Sequence, residues 1–199
     1  MPSDPAAGPG FPAYSYVPGL SPHPHSHPEG HRFGPPFPAA QLDDIASDPT
    51  FRLGASLFDQ GYYWEAHEAW EFLWHAAGRK GPLADFFKGL IQLAVAGVKV
   101  REGRRDGAAF HARRAAELLG SLTGDSFGGL DTHHMASTAD AIAQNPPPIP
   151  SDPRLGIEIV FAWRLSDMTE CGMTPQLNGD PSNQMHLTAK AQRARRTPL

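Results

Sequence analysis

Between Tyr62 and His75 the chain reads Tyr-Tyr-Trp-Glu-Ala-His-Glu-Ala-Trp-Glu-Phe-Leu-Trp-His. His67, Glu71 and His75 stand at i, i+4 and i+8, so a helix stacks them on one face, with Glu68 beside them. An imidazole and a carboxylate one turn apart can share a metal ion, and a neighbouring carboxylate can act as a base. His67 and Glu71 are therefore candidate metal ligands, and His67, Glu68 and Glu71 are candidate catalytic groups. The spacing misses the established signatures. A zincin helix needs His-Glu-x-x-His, and Glu71 occupies the place of its second histidine. A di-metal carboxylate bundle needs Glu-x-x-His on two helices, and the nearest approach is Asp131-x-x-His134, at a helix start. The competing reading is structural. Histidine and glutamate at a core margin commonly hydrogen-bond each other or a neighbouring helix, and aromatic residues at helical spacing commonly pack.

A second helix can complete the wall. Asp85, Lys88, Gln92 and Lys99 form a narrow polar stripe on an otherwise apolar segment, and Gln92 sits within Gly-Leu-Ile-Gln-Leu-Ala. A buried amide needs partners. Should this stripe face the first wall, His67, Glu71, Asp85, Lys88 and Gln92 converge on one polar pocket flanked by Trp64 and Trp74. His111, at the edge of the Ala108/Ala112/Ala115/Leu119/Leu122 stripe, is a further candidate for that pocket. The alternative is an internal hydrogen-bond network that sets helix register. Lys99, Arg101, Arg104, Arg105, Arg113 and Arg114 surround the following turn. Without interleaved aromatics they read as a solvated turn rather than a nucleic-acid contact.

The elements that must hold these groups are helical. Asp48-Pro49 offers a cap and a first-turn proline, opening a helix to about Gln60, where Gly61 can stop it. Further helices are expected over about Tyr62–Ala77, Pro82–Glu102 and Arg105–Leu122, and a fifth from a cap at Asp131 to Gln144. Asn145-Pro146-Pro147-Pro148 ends helical structure. Short connections favour antiparallel neighbours. The expected fold class is all-α: a compact bundle of about five antiparallel helices, the third central because it is apolar nearly all round. Three regions are expected. Residues 1–47, with eleven prolines and the histidines His23, His25, His27 and His31, form an extended or disordered tail. Residues 48–145 form the helical domain. Residues 146–199 form an irregular tail with one short strand-like segment at 157–163, and disorder is expected beyond Thr169, where Lys190, Arg193, Arg195 and Arg196 make a solvated basic end.

Composition narrows the function classes. The net charge is −4 and the pI near 6.2, so no global basic field holds nucleic acid or an anionic membrane. Cys171 is the single cysteine of 199 residues, which rules out an intrachain disulfide and a cysteine zinc cluster. The start lacks the basic-then-apolar pattern of a secretory signal. The longest apolar stretch, near Leu90–Val98, is too short to span a bilayer. A cytoplasmic protein is the expectation.

The run Leu57-Phe58-Asp59-Gln60-Gly61-Tyr62-Tyr63-Trp64-Glu65-Ala66-His67-Glu68, then Glu71, Trp74, Asp85-Phe86 and Gly89-Leu90-Ile91-Gln92-Leu93-Ala94, resembles the Domain of Unknown Function 309 family. The pieces occur in order over about residues 50–123. The resemblance implies a small, helical, prokaryotic protein of no established activity, with His67, Glu68, Glu71, Trp74 and Gln92 as characteristic positions. Tyr16-Val17-Pro18-Gly19, His23-Pro24 and Gly30-His31 are similar to an N-terminal segment of longer members, which implies that this tail lies over the domain. Ile157–Leu165 is similar to their C-terminal tail. The resemblance does not extend to residues 168–199.

Two functions follow. One is a polar ligand or metal site between the second and third helices, taking an unidentified cofactor such as a divalent metal, with the reaction unspecified. The alternative is a tetratricopeptide-like module for a peptide partner or a homo-oligomer, with a structural His–Glu network. The Gly61-to-Gly103 interval is 42 residues against that repeat's 34. The sequence does not decide whether the protein is an enzyme.

Overall fold

The computed structural model describes residues 11–31, 37–124, 126–148 and 156–168. It contains helices α1 (Pro49–Asp59), α2 (Tyr63–Ala76), α3 (Pro82–Arg101), α4 (Arg105–Gly120) and α5 (Thr132–Gln144), as the periodicity predicts to within about two residues. The expected caps form. Asp48 Oδ1 accepts from the Phe51 amide at 2.8 Å while its Oδ2 accepts from Gln41, tying the preceding loop to α1. Asp131 Oδ1 accepts from His134 in the same way. Gly61 adopts φ +84° at the α1–α2 turn, where the Tyr62 amide returns to the Leu57 carbonyl, the left-handed exit that glycine accepts without strain.

Each helix packs chiefly on its neighbours in the chain, α1 on α2, α2 on α3, α3 on α4 and α4 on α5. The centre is α3, with Phe86, Phe87, Leu90, Leu93, Ala94 and Ala96 fully buried. Gly97 lets α2 and α3 approach closely: a Cβ there would stand 2.6 Å from Tyr63 Cγ. No helix among the described residues is long and apolar enough to cross a membrane.

Two findings depart from the sequence expectation, and a third follows what the resemblance implies for the N-terminal segment. Residues 126–131 form a two-residue hairpin, β1 (Ser126–Phe127) with β2 (Leu130–Asp131), that stacks Phe127 on Phe86 at 5.4 Å. Too few residues take part to leave a period-2 pattern. Residues 157–163 are irregular rather than strand-like. Their hydrogen bonds go to helix side chains: Val160 N donates to Tyr63 Oη at 3.0 Å and Leu165 N to Asp59 Oδ1 at 2.6 Å, while Phe161 stacks on Phe58 at 5.6 Å. Finally, residues 11–31 are extended but ordered against the domain. Phe11 stacks on Tyr62 at 5.4 Å, and Val17 is 2% exposed. The expected disorder and basic end beyond Thr169, with Cys171, lie outside the described residues.

Candidate functional site

The ligand-capable side chains named from sequence fall into separate pairs. His67 Nε2 stands 3.7 Å from Glu71 Oε2, its ring against Trp64 at 5.2 Å. Glu68 Oε1 lies 3.0 Å from His25 Nε2, a contact between α2 and the N-terminal segment. Lys88 Nζ lies 4.5 Å over the Trp74 ring, a cation–π contact between α2 and α3. Gln92 turns the other way: its Oε1 accepts from His111 Nδ1 at 2.8 Å, joining α3 to α4. Asp85 sits half-buried in the first turn of α3, where the helix dipole favours a carboxylate. His75 is exposed. The structure therefore joins His67 to Glu71 and Gln92 to His111, and does not gather these with Asp85 and Lys88. Among the described residues no group of three His, Cys, Asp or Glu side chains could hold a metal ion.

The polar centre lies instead where the N-terminal segment crosses α2 and the end of α3. Glu65 is 1% exposed, and its Oε1 receives the Tyr16 amide at 2.9 Å and His31 Nε2 at 3.0 Å. With a carboxylate as acceptor, both nitrogens donate. Glu65 Oε2, also buried, has no hydrogen-bond partner among the described residues. The same crossing is tied by Ser15 Oγ donating to the Gly61 carbonyl at 2.9 Å and Tyr62 Oη donating to Pro12 at 3.1 Å. Tyr16 meets the Trp64 ring edge-on at 4.8 Å, and His23 meets it at 6.0 Å.

Arg101 is the second charged group of this centre. It is 2% exposed and donates to the Gly156 carbonyl, which corrects its reading as part of a solvated turn. It continues the stripe of Leu90, Ala94 and Gly97, all buried on one face of α3. Burial pushes its pKa down, while Glu158, Tyr63 and Glu65 act in the opposite direction. Tyr14, Ser15, Val17, Leu20, Ser21, Arg101 and Gly156 line an open-sided cavity of about 70 Å³. Burial raises the Tyr14 phenol, partly offset by its bond to the His31 backbone, and the Glu65 charge raises it further. Burial likewise raises Tyr16. Glu65 thus stands behind the cavity, acting on the two lining groups Tyr14 and Arg101.

On sequence alone, Glu65 is not singled out and Arg101 reads as part of a solvated turn. The signal for Arg101 was its place on an apolar stripe. For Glu65 it was its spacing, three residues after Tyr62 and four before Ala69, both buried. No curated protein matches this chain. From the start of α1 into α4, residues 51–110 match the family described as Domain of unknown function (DUF309), and the chain resembles that family over this stretch.

Proposed function

We propose that this protein binds a small polar molecule in the cavity formed by residues 14–21, Arg101 at the end of α3 and Gly156, with Arg101 in its wall and Glu65 behind it. The carrying observation is the pair of buried ionisable side chains, 1% and 2% exposed, beside a cavity, one of them with an oxygen lacking a partner among the described residues. Burying a charge without full pairing costs stability. Anchoring the N-terminal segment accounts for Glu65 Oε1; the buried Oε2 is what a bound polar molecule would satisfy. This replaces the site expected between the second and third helices at His67, Glu68 and Glu71 with one under the N-terminal segment at the end of α3. His67 and Glu71 as metal ligands find less support, since they meet as a pair 3.7 Å apart without a third group.

The alternative, a tetratricopeptide-like interaction module, draws on the serial packing of the helices and on Phe110, which is 63% exposed on α4. The other exposed large apolar side chains described, Leu20 and Ile159, lie on different elements, which favours the ligand reading over a shared groove.

The test is a fragment screen by amide NMR on the full chain. Saturable shifts confined to residues 14–21, Arg101 and Gly156, reduced in Glu65→Gln, are expected. A chemically mixed polar library that moves none of these signals would refute the reading.

A further inference from the structure

Phe110 is the most exposed of the large apolar side chains among the described residues, at 63%. It lies on the side of α4 turned away from α3 and α5. Ala108, Ala112, Ala115 and Leu119 of the same helix are buried, and at ~100° per residue Phe110 falls nearly opposite them. Asp106, Arg113, Arg114 and Glu117 share its side, and all four are exposed. Arg105 is turned elsewhere, to the Pro147 carbonyl.

The charges along this face are ordered about Phe110. Asp106 stands one turn before it, and Arg113 and Arg114 stand one turn after it. At the next turn outward the signs reverse, with Arg104 before and Glu117 after. A two-fold axis at Phe110 sets residues equally distant before and after it against each other. Asp106 then meets Arg113 and Arg114 of a second copy, Glu117 meets its Arg104, and each contact occurs twice. A parallel pairing would instead set Asp106 on Asp106 and Arg113 on Arg113, which like-charge repulsion opposes. Arg114 and Glu117 already pair at 2.7 Å, and Arg104 reaches Glu102 at 3.7 Å. Asp106 and Arg113 form no ion pair among the described residues, so theirs is the contact that a second copy adds outright.

We propose that this face of α4 is a self-association surface, on which a second copy of the chain docks antiparallel with Phe110 against Phe110. One exposed ring makes no groove for a peptide, but a two-fold axis brings two rings together, and each covers the other. This surface lies apart from the cavity at residues 14–21 and stands whether or not that cavity binds a ligand. A single helix pair buries less than the roughly 1,600 Å² of a standard interface, so the dimer forms with rising concentration rather than permanently.

Sedimentation velocity of the full chain, from micromolar to millimolar concentration, tests this. A monomer–dimer equilibrium is expected. Phe110→Ala should weaken it about tenfold or more, as expected for a central aromatic anchor. Asp106→Arg and Arg113→Asp should each weaken it by placing like charges together. The double variant should regain most of the loss, because its pairs are reversed but still complementary. Thermal melts check that each variant is folded. A chain that stays monomeric at millimolar concentration, or a dimer unmoved by Phe110→Ala, would overturn the proposal. Weakening in both single variants without recovery in the double would overturn the antiparallel pairing on which it rests.

Discussion

The Tyr16 backbone amide donates to Glu65 Oε1 at 2.9 Å, across 49 residues of sequence. That bond makes a proline-rich segment part of the fold. The same oxygen also receives His31, so one carboxylate oxygen fixes both ends of the loop 16–31.

Replacing Glu65 separates its anchoring role from its charge. Glu65→Ala leaves two buried donors without an acceptor and should cost about 2–4 kcal/mol. Glu65→Gln keeps an acceptor oxygen and should cost less than half as much. Urea denaturation of the two variants gives the comparison, and equal losses would contradict the anchoring account.

Removal of residues 1–31 should expose the indole of Trp64, which the rings of Tyr16 and His23 now cover. Tryptophan emission should shift to the red and become more accessible to iodide. Unchanged quenching would show that the segment does not cover α2.

His111 gives an acid-side prediction. Burial, and secondarily the Lys99 ammonium, push its pKa below 6.5, with Glu102 opposing. The folded state then binds the proton less readily than the unfolded chain. Stability is full above about pH 6.5 and falls as the pH drops toward the lower folded value. His111→Gln should flatten this decline between pH 6.5 and 5. An identical pH profile for the variant would refute it.

Tyr63 gives the alkaline counterpart. Its phenol is raised from 10.0 to about 12, chiefly by burial, with the backbone amides of Val160 and Phe161 opposing. A raised folded pKa means stability that is full below pH 10 and lost as the pH climbs through 12. Tyr63→Phe removes the acceptor for Val160 N and should cost about 1 kcal/mol at neutral pH, while lessening the alkaline decline. Denaturation at pH 7 and pH 11 measures both.

Gly97→Ala should destabilise in spite of alanine's helix propensity. Its methyl group would meet the buried Tyr63 ring at 2.6 Å, an overpacking penalty of about 1–3 kcal/mol against roughly 1 kcal/mol gained from the helix. A melting temperature at or above that of the parent would contradict the close α2–α3 approach.

The helices were legible because each carries its own punctuation: Asp48-Pro49 and Asp131 at starts, Gly61 and Gly103 at stops. Local signals of this kind need no tertiary information. The candidate site was harder to see for the opposite reason. His67, Glu68 and Glu71 are conspicuous on a helical wheel, but a wheel does not say which face meets another segment. The structure gives Glu68 to His25 and buries Glu65 beneath Tyr16 and His31. The covering segment has no helical or strand period, and its pairing with α2 depends on contacts 34–50 residues apart. Arg101 was misjudged by its company: its cationic neighbours suggested solvent, while its position on the α3 stripe placed it in the core.

The central claim is that a small molecule binds under the N-terminal segment against Arg101, with Glu65 behind the cavity. The most direct measurement is the Tyr16 amide resonance during titration of the full chain with polar fragments, in the parent and in Glu65→Gln. The account predicts a saturable shift of that resonance in the parent, weakened in the folded variant. A Tyr16 amide that stays unmoved by every fragment, while other surface amides respond, would contradict it and leave Glu65 as an anchor for the segment alone.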